Sequence, residues 1–462
     1  MTDRVTDPTA GHRIDRGRIA ALMSSELERF ERRTPRSAAL HREAQRSLLA
    51  GVPMSWMTRW PGPYPVFVDD ASGGRFTDVD ANTYIDLCLG DTGAMTGHSL
   101  PATVASVEHQ AARGITTMLP STDAIAVADE LRRRFGLPVW QIAMTATDAN
   151  RFALRLARHA TGRRKVLVFD WCYHGTVDEA LNVMGPDGRA VPRPGNTGWA
   201  TDPSLSVEVV QFNDVAALER ALAACDVAAV LAEPALTNIG IVLPDADFHR
   251  TLRELTQRTS TLLILDETHT MCTGPGGYTA AYGLQPDILT VGKSIGSGMA
   301  AAAFGVTKAV AERMFNRAEA DYVDTGGVGG TLAGNALSLA AMRATLEQVL
   351  TADAFAKTIP LAQPFTAGVQ AVIAEYNLPW HVTQLGCRAE YRFRPAPPRN
   401  GGEAAAASDG DLDRYMHLFA LNRGILLTPF HNMALIAPAT TEQDIDYHTE
   451  VFRQSVQALL PR

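Results

Sequence analysis

Cysteine is scarce in this chain, and what there is forms no pattern. The five cysteines (Cys88, Cys172, Cys225, Cys272 and Cys387) are odd in number, widely scattered and never in CxxC spacing. That argues against a disulfide framework and against a zinc site, so no metal is expected and a reducing cytoplasm suits the chain best. Long apolar runs are also missing. No stretch approaches the about 18 uninterrupted apolar residues that a membrane span needs, and residues 1–18 mix Asp and Arg without the apolar segment of a secretory signal. Basic charge is not in excess: 42 Lys and Arg face 50 Asp and Glu, a formal charge of −8, which provides no field for nucleic acid. The run Arg132, Arg133, Arg134 reads as the solvated face of a helix. No GxGxxG stands between a strand and a helix near the start, which argues against a dinucleotide site, and no internal repeat is evident. Neither nucleic acid nor a membrane is expected as a partner.

What is present is a globular composition, 462 residues of which 46% are hydrophobic, enough for a large core divided between two domains. The middle of the chain alternates β-like and helical runs, the mark of a mostly parallel sheet covered on both faces. The clearest strands are 165–170, 207–212, 227–233, 262–267 and 288–291. Helices are expected at 148–160, 215–224 and 247–259; in the first, Ala149, Phe152, Ala153, Leu156 and Ala160 recur at three- and four-residue steps. Upstream, 67–68 and 75–86 read as short strands with an Asp-Ala-Asn turn. Downstream, a helix over 332–350 leads to strands within 380–394 and a Pro/Gly/Ala-rich loop over 395–411. The expected division is a large domain over 86–340, with 1–85 packing against 341–462 as a smaller domain.

The most informative feature is a pair of strand ends. Leu262-Leu263-Ile264-Leu265-Asp266 is an apolar run ending in an acid, and the next run ends in Lys293 among glycines, Gly292-Lys293-Ser294-Ile295-Gly296. A lysine amine can form a Schiff base with a cofactor aldehyde while an acid keeps a pyridine nitrogen protonated, which is what pyridoxal 5'-phosphate requires. Taken singly, each residue could equally be an ordinary strand end or a solvated loop lysine.

Three further segments bear on that reading. Thr145-Ala146-Thr147-Asp148 opens a helix whose free N–H groups could hold a phosphate, or Thr147 could simply cap it. Tyr173-His174-Gly175 follows the strand at 165–170, at the edge where open α/β sheets bind ligands. Tyr173 there could stack on a planar ring or be a half-buried core residue. Glu233 and Glu267 add carboxylates at the same edge, and buried like charges need a cation among them.

These motifs, in this order, resemble the class III aminotransferases, over roughly residues 35–455. Within them the chain looks nearest to the branch holding glutamate-1-semialdehyde aminomutase and β-amino-acid and phenylglycine aminotransferases. The resemblance implies an α/β architecture, the PLP-dependent transferase fold type I. Its large domain would hold a mostly parallel seven-stranded sheet, and its smaller α+β domain would come from both termini. It also implies a set of roles. Lys293 would carry the cofactor and Asp266 would hold the pyridine nitrogen. Thr145, Ala146 and Thr147 would bind the phosphate, while Tyr173, His174, Glu233, Thr268 and His269 would surround the ring. Gly329-Gly330-Thr331-Leu332-Ala333-Gly334-Asn335 matches a motif whose threonine reaches the phosphate bound by a neighbouring subunit, implying a homodimer with shared active sites. Three positions depart from the family pattern. Ala146 replaces a glycine, which is tolerable at φ below zero; Thr268 replaces a valine; and His269 stands where Gln or Met is usual.

The implied activity is ping-pong transfer of an amino group between amine or amino-acid donors and carbonyl acceptors, with Lys293 as the proton carrier. An aminomutase, an epimerase or a decarboxylase would share these motifs. Met57 and Met433 stand where the aminomutase has an arginine and a glutamate, which favours the aminotransferase. A catalytically lost binding protein is the alternative outside enzymes, and the retention of Lys293 and Asp266 speaks against it. For substrate, Trp56, Met57 and Trp60 could accept a bulky apolar group or merely pack between domains. The stretch 388–394 alternates charged and apolar residues and reads as a solvated charged face; Arg388 is the carboxylate ligand if one of its arginines points inward.

Overall fold

Seven strands form the sheet that positions the chemistry: β1 (Val139–Ala143), β2 (Lys165–Phe169), β3 (Val207–Val210), β4 (Val227–Ala232), β5 (Leu262–Asp266), β6 (Ile288–Val291) and β7 (Ala302–Val306). Their spatial order is β1-β7-β6-β5-β4-β2-β3. All run parallel except β7, which lies antiparallel between β6 and β1. The expected mostly parallel seven-stranded sheet of the type I fold is therefore what the chain forms. Every residue of β4 and β5 is buried, as an apolar strand covered on both faces should be. The computed structural model describes residues 14–315, 326–429 and 431–460.

Two of the seven strands escaped the sequence reading. β7 reads Ala-Ala-Phe-Gly-Val, weak strand formers whose pairing on both sides supplies what propensity does not. Its Gly305 is required by a neighbour, because a Cβ there would lie 2.6 Å from the Trp140 ring of β1. The helix α1 (Ala146–Thr161) begins at the Thr145 cap and stops at Gly162, whose φ of 68° is left-handed. Its buried face includes Ala149, Phe152, Ala153 and Leu156, the stripe expected from spacing. Phe169, Phe212 and Phe248 meet at centroid separations of 4.6–5.6 Å in the core on the β2–β3 side.

The chain divides into two units: Gly90–Ile359 with Pro398–Ala406, which carries this sheet, and Met1–Leu89, Pro360–Pro397 and Ala407–Arg462. In the second unit Ile425–Leu426 pairs in parallel with Thr83–Asp86, so strands from the two ends of the chain share a sheet. A three-stranded antiparallel sheet is formed by β8 (His381–Leu385), β9 (Arg388–Arg392) and β10 (Met433–Leu435).

The structure corrects four local expectations. Arg134 is buried, with its guanidinium donating to Glu130 and to the carbonyls of Pro275 and Leu346, so only Arg132 and Arg133 of that run face solvent. The helix expected over 332–350 is Ala336–Ala344 followed by a π-turn, Thr345–Val349. The loop over 395–411 contains a helix, Gly401–Ala406. Most consequentially, the charged residues of β9 are not a solvated face: Arg388 and Glu390 are each 1% exposed and Arg392 is 6% exposed. β9 is the central strand of its sheet, and its acid faces opposite charge. Glu390 lies 3.6 Å from Arg392 and 3.7 Å from His431. Desolvation would raise its carboxyl, but His431, Arg392 and Arg388 outweigh burial and hold it low.

Candidate active site

Asp266 ends β5 and pairs in register with Thr290 of β6, three residues before Lys293, so the acid and the lysine emerge at the same carboxyl edge of the sheet. The backbone of Lys293 is left-handed, φ 52°, an uncommon setting for a residue with a Cβ and of the kind that gathers at functional sites. Gly292 before it must be small, since a Cβ there would approach the Ala146 methyl to 3.0 Å. The start of α1 thus lies directly against the lysine loop.

Asp266 is only 4% exposed and is held from several sides. Asn150 Nδ2 donates to its Oδ2 at 2.7 Å, His174 Nδ1 lies 2.9 Å from the same oxygen, and the Thr268 N–H donates to Oδ1 at 3.0 Å. Desolvation would raise the carboxyl, but the His174 contact leads the interactions that overcome it and hold it at about 2. His174 shows the same balance from the cationic side. Burial disfavours its imidazolium, yet Cys172 and Asp266 prevail and push it up to about 10. An acid held ionised near neutral pH at the end of a buried strand is suited to keeping a heterocyclic nitrogen protonated.

One turn back along α1 lies the anion end. Ala146 is inside the helix and not left-handed, so its replacement of a glycine costs nothing. The Thr145 hydroxyl is engaged in capping: it accepts from the Asp148 N–H at 3.2 Å and donates to the Asp148 carboxylate at 2.8 Å. What the turn offers an anion is therefore chiefly its N–H groups and the Thr147 side chain. Thr147 Oγ1 accepts from the Thr176 N–H at 3.1 Å, which joins the helix start to the Tyr173-His174-Gly175 loop. Gly175, at φ 78°, is obligatory there because a Cβ would lie 2.0 Å from Thr147 Oγ1. An ionised, buried acid, a helix start with N–H groups one turn away, a primary amine on the adjoining loop and two glycines that keep the floor open fit pyridoxal 5'-phosphate.

The lysine itself touches His269, expected near the ring, and Asp91, which the sequence did not mark. Its Nζ donates to Asp91 Oδ2 at 3.0 Å and lies 2.8 Å from His269 Nε2, while His269 Nδ1 lies 3.0 Å from Thr92 Oγ1. An ammonium donating to Nε2 leaves the neutral ring with its proton on Nδ1, directed at Thr92. Asn150 also donates to the His174 carbonyl at 3.2 Å and accepts from Thr290 Oγ1 at 2.6 Å, tying three motifs together. One signal was available for it: a carboxamide flanked by the apolar residues of a buried stripe needs buried partners. Asp91 and Thr92 carried no such mark.

The remaining expected residues are placed as follows. Tyr173 is half-buried, and burial, then the charge of Asp91, push its phenol up. Glu233 is buried and accepts from the Tyr173 N–H at 3.4 Å and the Thr237 N–H at 3.0 Å; burial pushes its carboxyl up against the opposing influence of His174. Glu267 accepts from Thr270 Oγ1 and the Tyr278 N–H, which makes it a brace for the loop after β5. Thr268 is buried and Thr331 is exposed. Trp56, Met57, Trp60 and Arg388 belong to the other unit, where Trp56 and Met57 are exposed on the short turn Ser55–Arg59, Trp60 is half-buried and Arg388 is buried. Among the described residues no cluster of His, Cys, Asp and Glu could hold a metal ion.

Comparison with known proteins agrees with this geometry. A family model described as aminotransferase class-III matches residues 56–456. A glutamate-1-semialdehyde 2,1-aminomutase of Desulfitobacterium hafniense is 32% identical over 411 residues, 86% of this chain and 92% of that protein. Among solved structures, one described as a glutamate-1-semialdehyde-aminomutase from Pseudomonas aeruginosa PAO1 superposes with a TM-score of 0.94 at 49% identity, covering 97% of this chain and 100% of that one. A lysine-to-alanine variant of the same protein is known in complex with PMP. A β-phenylalanine aminotransferase from Variovorax paradoxus gives a TM-score of 0.85 at 25% identity, covering 95% and 97% of the two chains.

Proposed function

We propose that this chain, which belongs to the class III aminotransferase family and uses pyridoxal 5'-phosphate, is a ping-pong aminotransferase that moves an amino group from an amine or amino acid to a carbonyl acceptor. The observation that carries the reading is the shared sheet edge where the ionised, buried Asp266 and the Lys293 amine converge. The bound cofactor supplies an aldehyde that captures amines and a ring that accepts electrons from the adjoining carbon. Asp266, kept anionic by His174 and Asn150, holds the proton on the ring nitrogen. The α1 start, through the Ala146 and Thr147 amides and the Thr147 hydroxyl, anchors the phosphate. Lys293 Nζ takes the proton from the donor carbon and returns it elsewhere. Tyr173 and Thr268 flank the ring, and Glu233 orients the Tyr173 loop.

The active site belongs to a homodimer in this reading. Thr331 projects from an exposed loop whose end is tied to Ile115 by the Ala336 N–H at 3.0 Å. Ile115, Met118, Leu119 and Leu332, all exposed apolar residues, lie along these two segments, the kind of patch that a second copy covers. The cytoplasm is the proposed location, supported by five free cysteines, four of them buried. Among the described residues no helix is long and apolar enough to cross a membrane.

A second reading, intramolecular transfer of the aminomutase kind, is favoured by the names of the relatives. Two experiments divide the readings. Mixing the yellow protein with single amines should bleach the chromophore to the pyridoxamine form, with acceptor restoring it; Lys293→Ala should abolish both colour and turnover. An aminomutase would instead isomerise glutamate 1-semialdehyde with no second substrate, and that result would replace the aminotransferase reading.

A further inference from the structure

A carboxylate stands beside the nitrogen at which the proposed chemistry takes place. Asp91 Oδ2 lies 3.0 Å from Lys293 Nζ, and the Asp91 side chain is 34% exposed. Its backbone is held in place. Gly90, Asp91 and Thr92 are successively left-handed, with φ of 59°, 50° and 81°, and Thr92 is tied to His269, whose other ring nitrogen reaches the same Nζ. The acid belongs to the immediate surroundings of the lysine, and its negative charge extends to Tyr173.

We propose that Asp91 sets the substrate class of this site, disfavouring amines that carry a carboxylate on the nitrogen-bearing carbon and admitting those that carry hydrogen, an alkyl group or a hydrogen-bond donor there. The inference rests on Lys293 being the reacting nitrogen. A substrate nitrogen that takes the place of Nζ brings its own carbon, and the first substituent on it, to within about 4–5 Å of Asp91, given bonds of about 1.5 Å. A carboxylate at that distance, in a partly exposed setting, is opposed about five- to tenfold. A hydroxyl or amino group on the neighbouring carbon donates to Asp91 instead. β-Amino acids, ω-amino acids and simple amines keep any carboxylate further away, where screening weakens the repulsion. Ordinary α-amino acids do not.

The test needs no cofactor. Cofactor-free protein is treated with glyoxylate or glycolaldehyde in the presence of cyanoborohydride. The Lys293 amine adds to the aldehyde carbon, water leaves, and the reductant delivers hydride to the C=N carbon, leaving a stable secondary amine that mass spectrometry of the Lys293 peptide quantifies. The two adducts place a carboxylate or a hydroxymethyl group on the carbon next to Nζ, and Nα-acetyl-lysine under the same conditions corrects for intrinsic reactivity. In Asp91→Asn the glyoxylate-to-glycolaldehyde ratio should rise about fivefold. In the wild type, raising salt from about 20 mM to about 500 mM should raise it in the same direction, which keeps the test available if the variant misfolds. An unchanged ratio in folded Asp91→Asn, or no salt effect in the wild type, overturns the proposal. Failure of the cofactor reading would appear separately, as protein that acquires no visible band with pyridoxal 5'-phosphate while the trapping ratio stays measurable.

Discussion

The buried His174–Asp266 pair should make the stability of the cofactor-free protein fall at alkaline pH, and one substitution should weaken that dependence. Burial opposes the His174 imidazolium, but Cys172 and Asp266 prevail and place its folded value at about 10, against an ordinary 6.5. A folded value above the unfolded one means that the native state holds one more proton between those limits. The stabilisation is complete below about 6.5 and is lost as pH rises through about 10, at about 1.4 kcal/mol per pH unit for a single proton. On the acid side the same pair is lost as pH falls from the ordinary 3.8 of Asp266 through about 2. Asp266→Asn leaves His174 buried beside a neutral amide, where desolvation favours the uncharged ring. Cys172 stays in place, so the folded value of the variant falls without losing every raising influence, and this contribution to the slope shrinks. Urea unfolding of both proteins near pH 7, 8 and 9, followed by tryptophan fluorescence, gives the difference in stability, in which other titrating groups cancel. That difference should shrink as pH rises, by no more than about 1.4 kcal/mol for each unit of pH. Parallel pH slopes for wild type and variant would refute a charged pair at the sheet edge.

Other consequences are more local. Gly175→Ala combines a left-handed backbone with a Cβ 2.0 Å from Thr147 Oγ1, so it should cost about 2–4 kcal/mol and weaken pyridoxal 5'-phosphate binding, both readable by thermal denaturation with and without cofactor. Asn150→Ala removes an amide that donates to an ionised acid, a loss of about 1.5–3 kcal/mol, and should shift the visible band of the holoenzyme; an unchanged spectrum would mean that Asp266 does not need it. Glu390→Gln removes the buried acid that faces Arg392 and His431 and should destabilise by about 3–5 kcal/mol, measured by denaturant midpoint, whereas a change below about 0.5 kcal/mol would mean that this charge does not hold the strand in place.

The chain wrote its fold most plainly where side-chain chemistry and strand propensity agree. β2 to β6 are Val-, Ile- and Leu-rich runs that can only be buried strands, and the stripe of α1 announces its inner face. β7 was illegible because Ala and Gly carry little strand preference and Gly305 is there for the Trp140 ring of its neighbour. The charged alternation of β9 misled for a related reason: a strand's two-residue period tells which residues share a face, not whether that face meets water or a set of compensating charges. In the site, Asp266 and Lys293 were legible as strand ends. Asn150 was hidden within a helical stripe, and Asp91 and Thr92 within a loop whose conformation no local propensity dictates.

Asp91 and Thr92 share with Lys293 a backbone property that no local propensity announces. Asp91, Thr92 and Lys293 all have left-handed backbones although each carries a Cβ. Each such residue costs on the order of 1 kcal/mol locally, so the surrounding structure must supply it, here through the Asp91–Lys293 ion pair and the Thr92–His269 contact. A right-handed or extended residue at 293 would turn Nζ away from Asp91 and His269. The strain therefore selects one direction for the reacting amine, and relaxing it should be visible as stability gained at the expense of function. Lys293→Gly, which relieves the strain but deletes the amine, should be at least as stable as Lys293→Ala when both lack cofactor, by about 1 kcal/mol. Greater stability of the alanine variant would mean that position 293 is not held left-handed, and the directional argument for Lys293 would fail with it.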